Sequence, residues 1–549
     1  MKIAIAQINP TVGDIAGNCA KIIENINLAV SQNVDMVVFS ELAVVGYPPR
    51  DLLSRQGFIE ESIQAVTKIA ETCTDITAVI GFINQQGGNL YNSVAIASDG
   101  KILSIVNKSL LPSYDVFDEK RYFTAGNENS VLEIAGVKVG VAICEDFWDS
   151  YALGGKIYNC DPVGELIDQG AQLLVSPAAS PFEMNKAHAR EELFARQAKR
   201  ANCPVVYCNQ VGGNDQLIFD GCSSVTDAQG QVVARAKSFE EDFLVVELDR
   251  TMLPVEPLTL APVESEIARL KDALELGIRD YVRKCGFKSV VLGLSGGIDS
   301  ALVAALACSA IGAENVYGIA MPSRHSSDHS VKDAEDLAAN LSCNCVLVPI
   351  EPMHSAFEES LKLLGGGSGA ELAAENIQAR IRGALVMAQS NAQGHLPVAT
   401  GNKSELAVGY CTLYGDMCGG LAPIGDVLKT QVYELSKFIN EQAGRELIPV
   451  NTIVKPPSAE LKPGQVDQDS LPDYDTLDGI LKLLIEESAG LQDIVSAGFD
   501  SELVANIGSM VDRAEFKRQQ AAGVLKVSPK AFGIGRRVPI AQRYRQKLS

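Results

Sequence analysis

No two of the 13 cysteines have Cys-x-x-Cys spacing, so the chain lacks the usual signature of a zinc ribbon or a redox dithiol. It also lacks a secretory h-region, because Met1 to Gln7 alternates like a strand and Gln7 and Asn9 come too soon. The expectation is a cytoplasmic protein with reduced, mostly buried thiols and no disulfide framework. No apolar run reaches roughly 18 residues, so no membrane span is expected. Basic residues are in deficit, 47 against 68 acidic, for a formal net charge of -21. That balance disfavours general affinity for nucleic acid or anionic membrane.

What remains is an ordinary globular composition, 46% apolar and 21% charged over 549 residues, long enough for roughly two to four domains. The chain is organised around Val290-Val291-Leu292-Gly293-Leu294-Ser295-Gly296-Gly297-Ile298-Asp299-Ser300, an apolar strand, a Ser-Gly-Gly turn and the start of a helix over Ala301 to Ala310. Glycines let a backbone approach an anion, and the helix N-terminus points amides and a positive dipole end at it. The Gly-Lys-Ser/Thr of a Walker A loop is absent, so the motif reads as a pyrophosphate cradle of another kind. It resembles the pyrophosphatase (PP) loop of enzymes that split ATP into AMP and pyrophosphate while adenylating a substrate. That resemblance implies ATP contacts from Gly293 through Ser300.

Before this loop, three strand-like runs each end in a group with chemistry. Asp35 to Leu42 delivers Glu41; a hairpin through Asp99-Gly100 ends near Lys108; and Val137 to Ile143 delivers Cys144. Each alone could be ordinary, a buried thiol or a solvated rim charge, and the combination is more specific than its parts. The only histidine of the first half is His188. Phe39-Ser40-Glu41-Leu42, Lys108-x-x-Leu111-Pro112 with Tyr114 to Glu119, and Ile143-Cys144-Glu145-Asp146 together resemble the nitrilase (carbon–nitrogen hydrolase) superfamily. The resemblance implies a four-layer αββα sandwich, with Glu41 as base, Cys144 as nucleophile and Lys108 lowering the thiol pKa and stabilising the oxyanion. By likeness to glutamine-using members, Tyr114, Ser180 and Lys186 hold the ends of glutamine.

Pro254, Pro257 and Pro262 mark a linker, giving an expected division into 1–252, linker 253–265 and 266–549. In the second half, strands at Val290, Asn315 to Met321, Cys345 to Ile350 and Leu396 to Thr400 alternate with helices, which argues a doubly wound parallel sheet. Thr400-Gly401-Asn402-Lys403-Ser404-Glu405, Gly409 to Asp416 and Gly419 to Thr430, with Glu375 to Arg382 and Glu515 to Arg518, closely resemble the NAD synthetase family. The resemblance implies ATP and Mg²⁺, Thr400 at the nucleotide, and Asn376, Arg380, Glu405, Asp416, Lys429 and Lys517 at deamido-NAD⁺. Asp299 and Glu405 are the metal candidates, since Mg²⁺ prefers carboxylate oxygen. His325-x-x-x-His329 has metal-ligand spacing without an apparent third ligand, so loop contacts near ATP are expected of it. The loop from Lys455 to Tyr474 and the run Gly365 to Gly367 are candidate lids. Family members often carry Asp-Glu where this chain has Asp467-Gln468.

An amidase joined to an adenylating domain implies that ammonia released from glutamine attacks an acyl-adenylate along a protected path. Expected partners are small molecules, glutamine, ATP and deamido-NAD⁺, in a homodimer or larger homo-oligomer, with no nucleic acid and no membrane. Two other readings stay open: another glutamine-dependent AMP-forming ligase, and a nucleotide-binding protein that has lost catalysis.

Overall fold

A computed structural model describes residues 1–148, 158–256, 260–363, 370–462, 464–544 and 546. The expected lid at Gly365 to Gly367 and the proline at Pro257 lie outside these residues. The chain divides into two compact units, Met1–Glu264 and Ser265–Ser549.

In the first unit the elements run β1 (Lys2–Gln7), α1 (Ile15–Ser31), β2 (Met36–Val38), α2 (Gln56–Glu71), β3 (Thr77–Gln86), β4 (Asn89–Ser98), β5 (Lys101–Asn107), β6 (Val131–Ile134), β7 (Val137–Val141), α3 (Pro162–Asp168), β8 (Leu173–Ala178) and α4 (Lys186–Ala201). They continue through β9 (Val205–Asn209), the hairpin β10 (Val211–Asn214) and β11 (Leu217–Asp220), then β12 (Ser224–Thr226), β13 (Val232–Arg235) and β14 (Asp242–Glu247). Two six-stranded sheets result, ordered β14-β1-β2-β3-β4-β5 and β13-β12-β9-β8-β7-β6.

Alternation along the strands assigns the layers. Ile3, Ile5, Met36, Val38, Val79, Val94 and Ile96 point to the core shared with Val139, Val141, Val175 and Val206 of the other sheet. Ala4, Ala6, Val37, Ala78, Ile80 and Ala95 point the other way, where Ile22 and Ile26 of α1 and Val66 and Ile69 of α2 cover them. On the second sheet α3 packs against β7, and α4 against β9 and β12. The outcome is the expected αββα sandwich. β14 pairs antiparallel with β1. The stretch after it stays with this unit, through Val255 N–H to the Glu247 carbonyl at 2.9 Å and Ala261 N–H to the Arg235 carbonyl at 3.2 Å.

The second unit opens with α5 (Glu266–Lys284), N-capped by Ser265. It continues β15 (Val290–Gly293), α6 (Ile298–Ile311), β16 (Val316–Ala320), α7 (Asp328–Leu341), β17 (Asn344–Leu347), α8 (Glu351–Leu363), α9 (Ala370–Gln393), β18 (Leu396–Pro397), α10 (Lys403–Val408), β19 (Leu421–Ala422), α11 (Lys429–Ala443), α12 (Val450–Val454) and α13 (Tyr474–Leu481). The parallel sheet has order β17-β16-β15-β18. Strand order reverses between β15 and β18, and ligands of such sheets bind where the carboxyl ends part. β18 is shorter than expected because the chain turns to pair Val398 and Ala399 with Leu421.

Gly81 of β3 lies against the segment leaving β2. A Cβ there would stand 2.4 Å from both Leu42 N and the Ser40 carbonyl oxygen, and backbone cannot yield as a flexible side chain can. Gly81→Ala is expected to destabilise the protein by about 1–3 kcal/mol. By contrast, Gly57 in α2 has open space and an ordinary φ, so Gly57→Ala is expected to stabilise by about 0.4–1 kcal/mol. Urea unfolding of both variants checks the contrast.

Candidate functional site

In the first unit, the segments that leave β2, β5 and β7 converge. β2 ends at Val38, earlier than expected, and Glu41 lies beyond it in a turn that carries Leu42 at φ 47°. Lys108 follows β5 directly, as expected. Its buried ammonium donates to Glu41 Oε1 at 2.6 Å and to Glu119 Oε1 at 2.8 Å. Glu41 also accepts from Asn92 Nδ2 at 2.6 Å and from Ala179 N–H at 2.9 Å. Glu119 accepts the Tyr47 hydroxyl at 2.8 Å. Sequence reasoning quoted Glu119 inside a motif and gave it no role. Burial, and the second carboxylate at Glu41, push its pKa up to about 7 against the pull of Lys108.

Cys144 opens a short 3₁₀ turn after β7 with φ 46°, a left-handed conformation rare for a non-glycine residue. A buried Asp146 ties this turn to the exit of β5, accepting from Leu110 N–H at 2.7 Å, Ser109 N–H at 3.1 Å and Ile143 N–H at 3.0 Å. Lys108 pulls the thiol pKa down, as expected, but does not set its net direction. Burial and the Glu41 charge outweigh Lys108, and the thiol is held well above its ordinary value.

At the mouth, the Tyr114 hydroxyl donates to Glu145 Oε1 at 2.9 Å, as does Tyr158. Lys186, the first residue of α4, is close enough that its charge acts on Glu145. Ser180 is buried, with its N–H on Asn209 Oδ1 at 2.9 Å. Glu145 was not foreseen; its place immediately after Cys144 was the only signal.

In the second unit, the ends of β15, β16 and β18 open onto a cavity of about 330 Å³. Gly293, Leu294, Ser295, Gly297, Ile298, Asp299, Ser300, Thr400, Glu405, Asp416 and Lys429 all line it. Gly296 does not, and its glycine has another cause. It has φ 74°, and a Cβ would stand 2.2 Å from the Ser330 carbonyl oxygen of α7. Ser300 ties the loop together, its Oγ donating to the Gly297 carbonyl at 3.0 Å and lying 3.1 Å from Ser295 Oγ. Helix α6 begins at Ile298, so its first-turn amides have no intrahelical acceptor.

Lys429 is buried and forms ion pairs with both Asp299 and, at 3.2 Å, Glu405. Asn402 Nδ2 holds the other oxygen of Asp299 at 2.8 Å. Burial and the neighbouring Asp299 raise the Glu405 pKa to about 8, with Lys429 opposing. The carboxylates of Asp299 and Glu405 on one cavity wall are oxygen donors of the kind a hard divalent cation takes, with phosphate and water oxygens to complete its shell.

The expected dinucleotide residues divide. Asp416, Glu405 and Lys429 line the cavity, whereas Asn376, Arg380 and Lys517 hold the loop 409–416. Asn376 Oδ1 accepts from Thr412 Oγ1 at 2.8 Å, Arg380 Nε donates to the Leu413 carbonyl at 3.2 Å, and Lys517 Nζ donates to the carbonyls of Gly409 at 2.8 Å and Cys411 at 2.7 Å. Thr412 N–H also meets Asp416 at 2.8 Å. Arg382 and Tyr433, to which sequence reasoning assigned no role, line the cavity, and so do Lys455 and Glu460 of the expected lid. Of the expected lid, Glu460 accepts the hydroxyls of Ser330 at 2.7 Å and Ser327 at 3.1 Å. Asp467 is buried against the Tyr474 hydroxyl, while Gln468 is exposed. His325 and His329 lie beside this region, in the loop before α7 and in its first turn.

Comparison with known proteins agrees with both halves. The carbon–nitrogen hydrolase family matches residues 2–254, and the NAD synthase family residues 270–521. The chain is 48% identical to the glutamine-dependent NAD(+) synthetase of Synechocystis sp., over 99% of each sequence. It is 41% identical to that of Thermotoga maritima, over the full length of both. Among solved structures, the glutamine-dependent NAD⁺ synthetase of Acinetobacter baumannii in complex with ADP aligns with TM-score 0.79 and 41% identity, covering 98% of each chain. Matched by a family model in each half and by relatives 41–48% identical over nearly the full length, this chain belongs to the glutamine-dependent NAD(+) synthetase family.

Proposed function

We propose that the chain makes NAD⁺ from deamido-NAD⁺, with glutamine as nitrogen donor and ATP as activating nucleotide. The observation that supports the reading is that each unit gathers one cluster of candidate groups, Glu41, Lys108 and Cys144 in one and the Ser295 to Ser300 loop with Glu405 and Lys429 in the other.

In the first centre burial and the Glu41 charge favour the thiol form of Cys144. Glu41 takes its proton as Sγ attacks the glutamine amide carbon, then passes that proton to the departing ammonia, leaving a thioester. Lys108 and the backbone N–H of Glu145 stabilise the tetrahedral oxyanion. Glu41 next deprotonates water, which releases glutamate and returns the thiol. Glu119 holds Lys108 from the other side, so the ammonium keeps its place when Glu41 becomes protonated. Tyr114, Ser180 and Lys186 hold the amino and carboxylate ends of glutamine.

In the second centre the carboxylate of the nicotinate ring attacks the α-phosphorus of ATP and pyrophosphate leaves. Ammonia then attacks the acyl carbon, loses a proton and displaces AMP. The loop and the N-terminus of α6 hold pyrophosphate, Thr400 contacts the nucleotide, and Lys429 offsets phosphate charge. Asp299 and Glu405 would hold Mg²⁺, which supplies further charge neutralisation of the phosphates. Asp416 contacts the dinucleotide, on the loop that Asn376, Arg380 and Lys517 support. We place the enzyme in the cytoplasm as a homodimer or larger homo-oligomer.

The test is AMP and NAD⁺ formation from ATP, Mg²⁺ and deamido-NAD⁺ with glutamine or ammonium. Cys144→Ala is expected to lose the glutamine reaction and keep the ammonium one; a parent that makes no NAD⁺ from either donor would exclude the reading. Glu119→Gln is expected to slow the glutamine reaction on the order of 10²-fold through misplacement of Lys108, and to spare the ammonium reaction.

Glu119 also makes stability depend on pH. With a folded pKa of about 7 against 4.5 unfolded, the native state binds more protons between those values. Its contribution is therefore in place below the unfolded pKa and is lost as pH rises through 7. The urea midpoint is expected to fall less between about pH 5 and 8 in Glu119→Gln than in the parent.

A further inference from the structure

Helix α11 begins at Lys429, and its N-cap is Leu428, which has no side-chain acceptor for the first amides. Those amides are met by residues of other helices. Ser404 Oγ accepts Lys429 N–H at 2.9 Å, and Asp478 Oδ2 accepts Thr430 N–H at 2.8 Å and the Thr430 hydroxyl at 2.9 Å. Ser404 in turn donates its hydroxyl to Asp478 Oδ1. Asp478 is 4% exposed and Ser404 0%, so water does not replace these bonds.

Each of the three helices joined in this way presents a group to the ion cluster. α10 carries Glu405 next to Ser404; α11 carries Lys429; α13 carries Tyr474, one turn before Asp478, with its ring centroid 5.4 Å from Lys429 Nζ. A cap on α11 itself would fix only that helix. A shared carboxylate fixes Lys429 relative to Glu405 and Tyr474.

We infer that Asp478 is a positioning residue for the AMP-forming step: through Ser404 and Thr430 it anchors the N-terminus of α11 and so places Lys429 between Asp299 and Glu405. The inference rests on the proposed role of Lys429 at the ATP site. The carboxylate is required because three donors converge on it, from Ser404 Oγ, Thr430 N and Thr430 Oγ1. An amide offers one acceptor oxygen and turns a donor toward them.

The experiment is steady-state NAD⁺ formation by the full chain with ammonium as nitrogen donor, at saturating ATP and Mg²⁺. Asp478→Asn is expected to lower kcat about tenfold or more, in keeping with the sensitivity of reaction rates to small misplacements. Thr430→Val, which removes one hydrogen bond of the set, carries the test if Asp478→Asn does not fold, and is expected to lower kcat by a smaller factor. The decisive readout is a double-mutant cycle with Lys429→Met, assayed at high enzyme concentration so that slow turnover is measured. If Asp478 acts through Lys429, either substitution removes less than about twofold in that background. Equal fold losses in both backgrounds, or a kcat like the parent's in both single variants, would overturn the inference. A parent without NAD⁺ formation would instead remove the reading of the site itself.

Discussion

One buried ammonium shared by two carboxylates is the constraint on which each half of this protein depends. In the first unit Lys108 lies between Glu41 and Glu119; in the second, Lys429 lies between Asp299 and Glu405. Removing such groups from water costs several kcal/mol per ion, and only close geometry with further hydrogen bonds offsets that cost. The surroundings supply those bonds: Asn92, Ala179 and Tyr47 in one case, Asn402 in the other. In both, the second carboxylate has its pKa raised, so a proton can be held or released near neutral pH.

The scaffolds deliver these groups in different ways. The sandwich brings three strand exits to one place, and Asp146 bridges two of them through backbone amides. The parallel sheet instead opens where its strand order reverses, and helices α10, α11 and α13 close the cluster from one side. Strand exits are placed by sheet register, whereas helix termini need acceptors of their own. For α11 those acceptors are Ser404 and Asp478.

Much of this was legible in the sequence. Glu41, Lys108 and Cys144 stand where apolar runs end, and the Ser-Gly-Gly turn stands between a strand and a helix, so local pattern located them. Glu119 escaped because it lies in a short 3₁₀ turn with no periodicity, and only the fold brings it to Lys108. Gly296 was legible as a glycine but not for its reason, which is the backbone of Ser330, distant in sequence. Asn376, Arg380 and Lys517 were expected at the dinucleotide, and in the structure they hold the loop 409–416. A sequence does not reveal that their polar atoms are engaged by a loop, and the same limit hid Asp478.

The resting state of Cys144 bears on how this enzyme tolerates oxidants. Peroxides attack the thiolate, and the first oxidation product of a cysteine is the sulfenic acid. A thiol whose pKa burial and the Glu41 charge push upward offers less thiolate to such reagents. Burial and the Glu41 charge thus weigh against oxidation of this side chain for the same reason that they weigh against its ionisation.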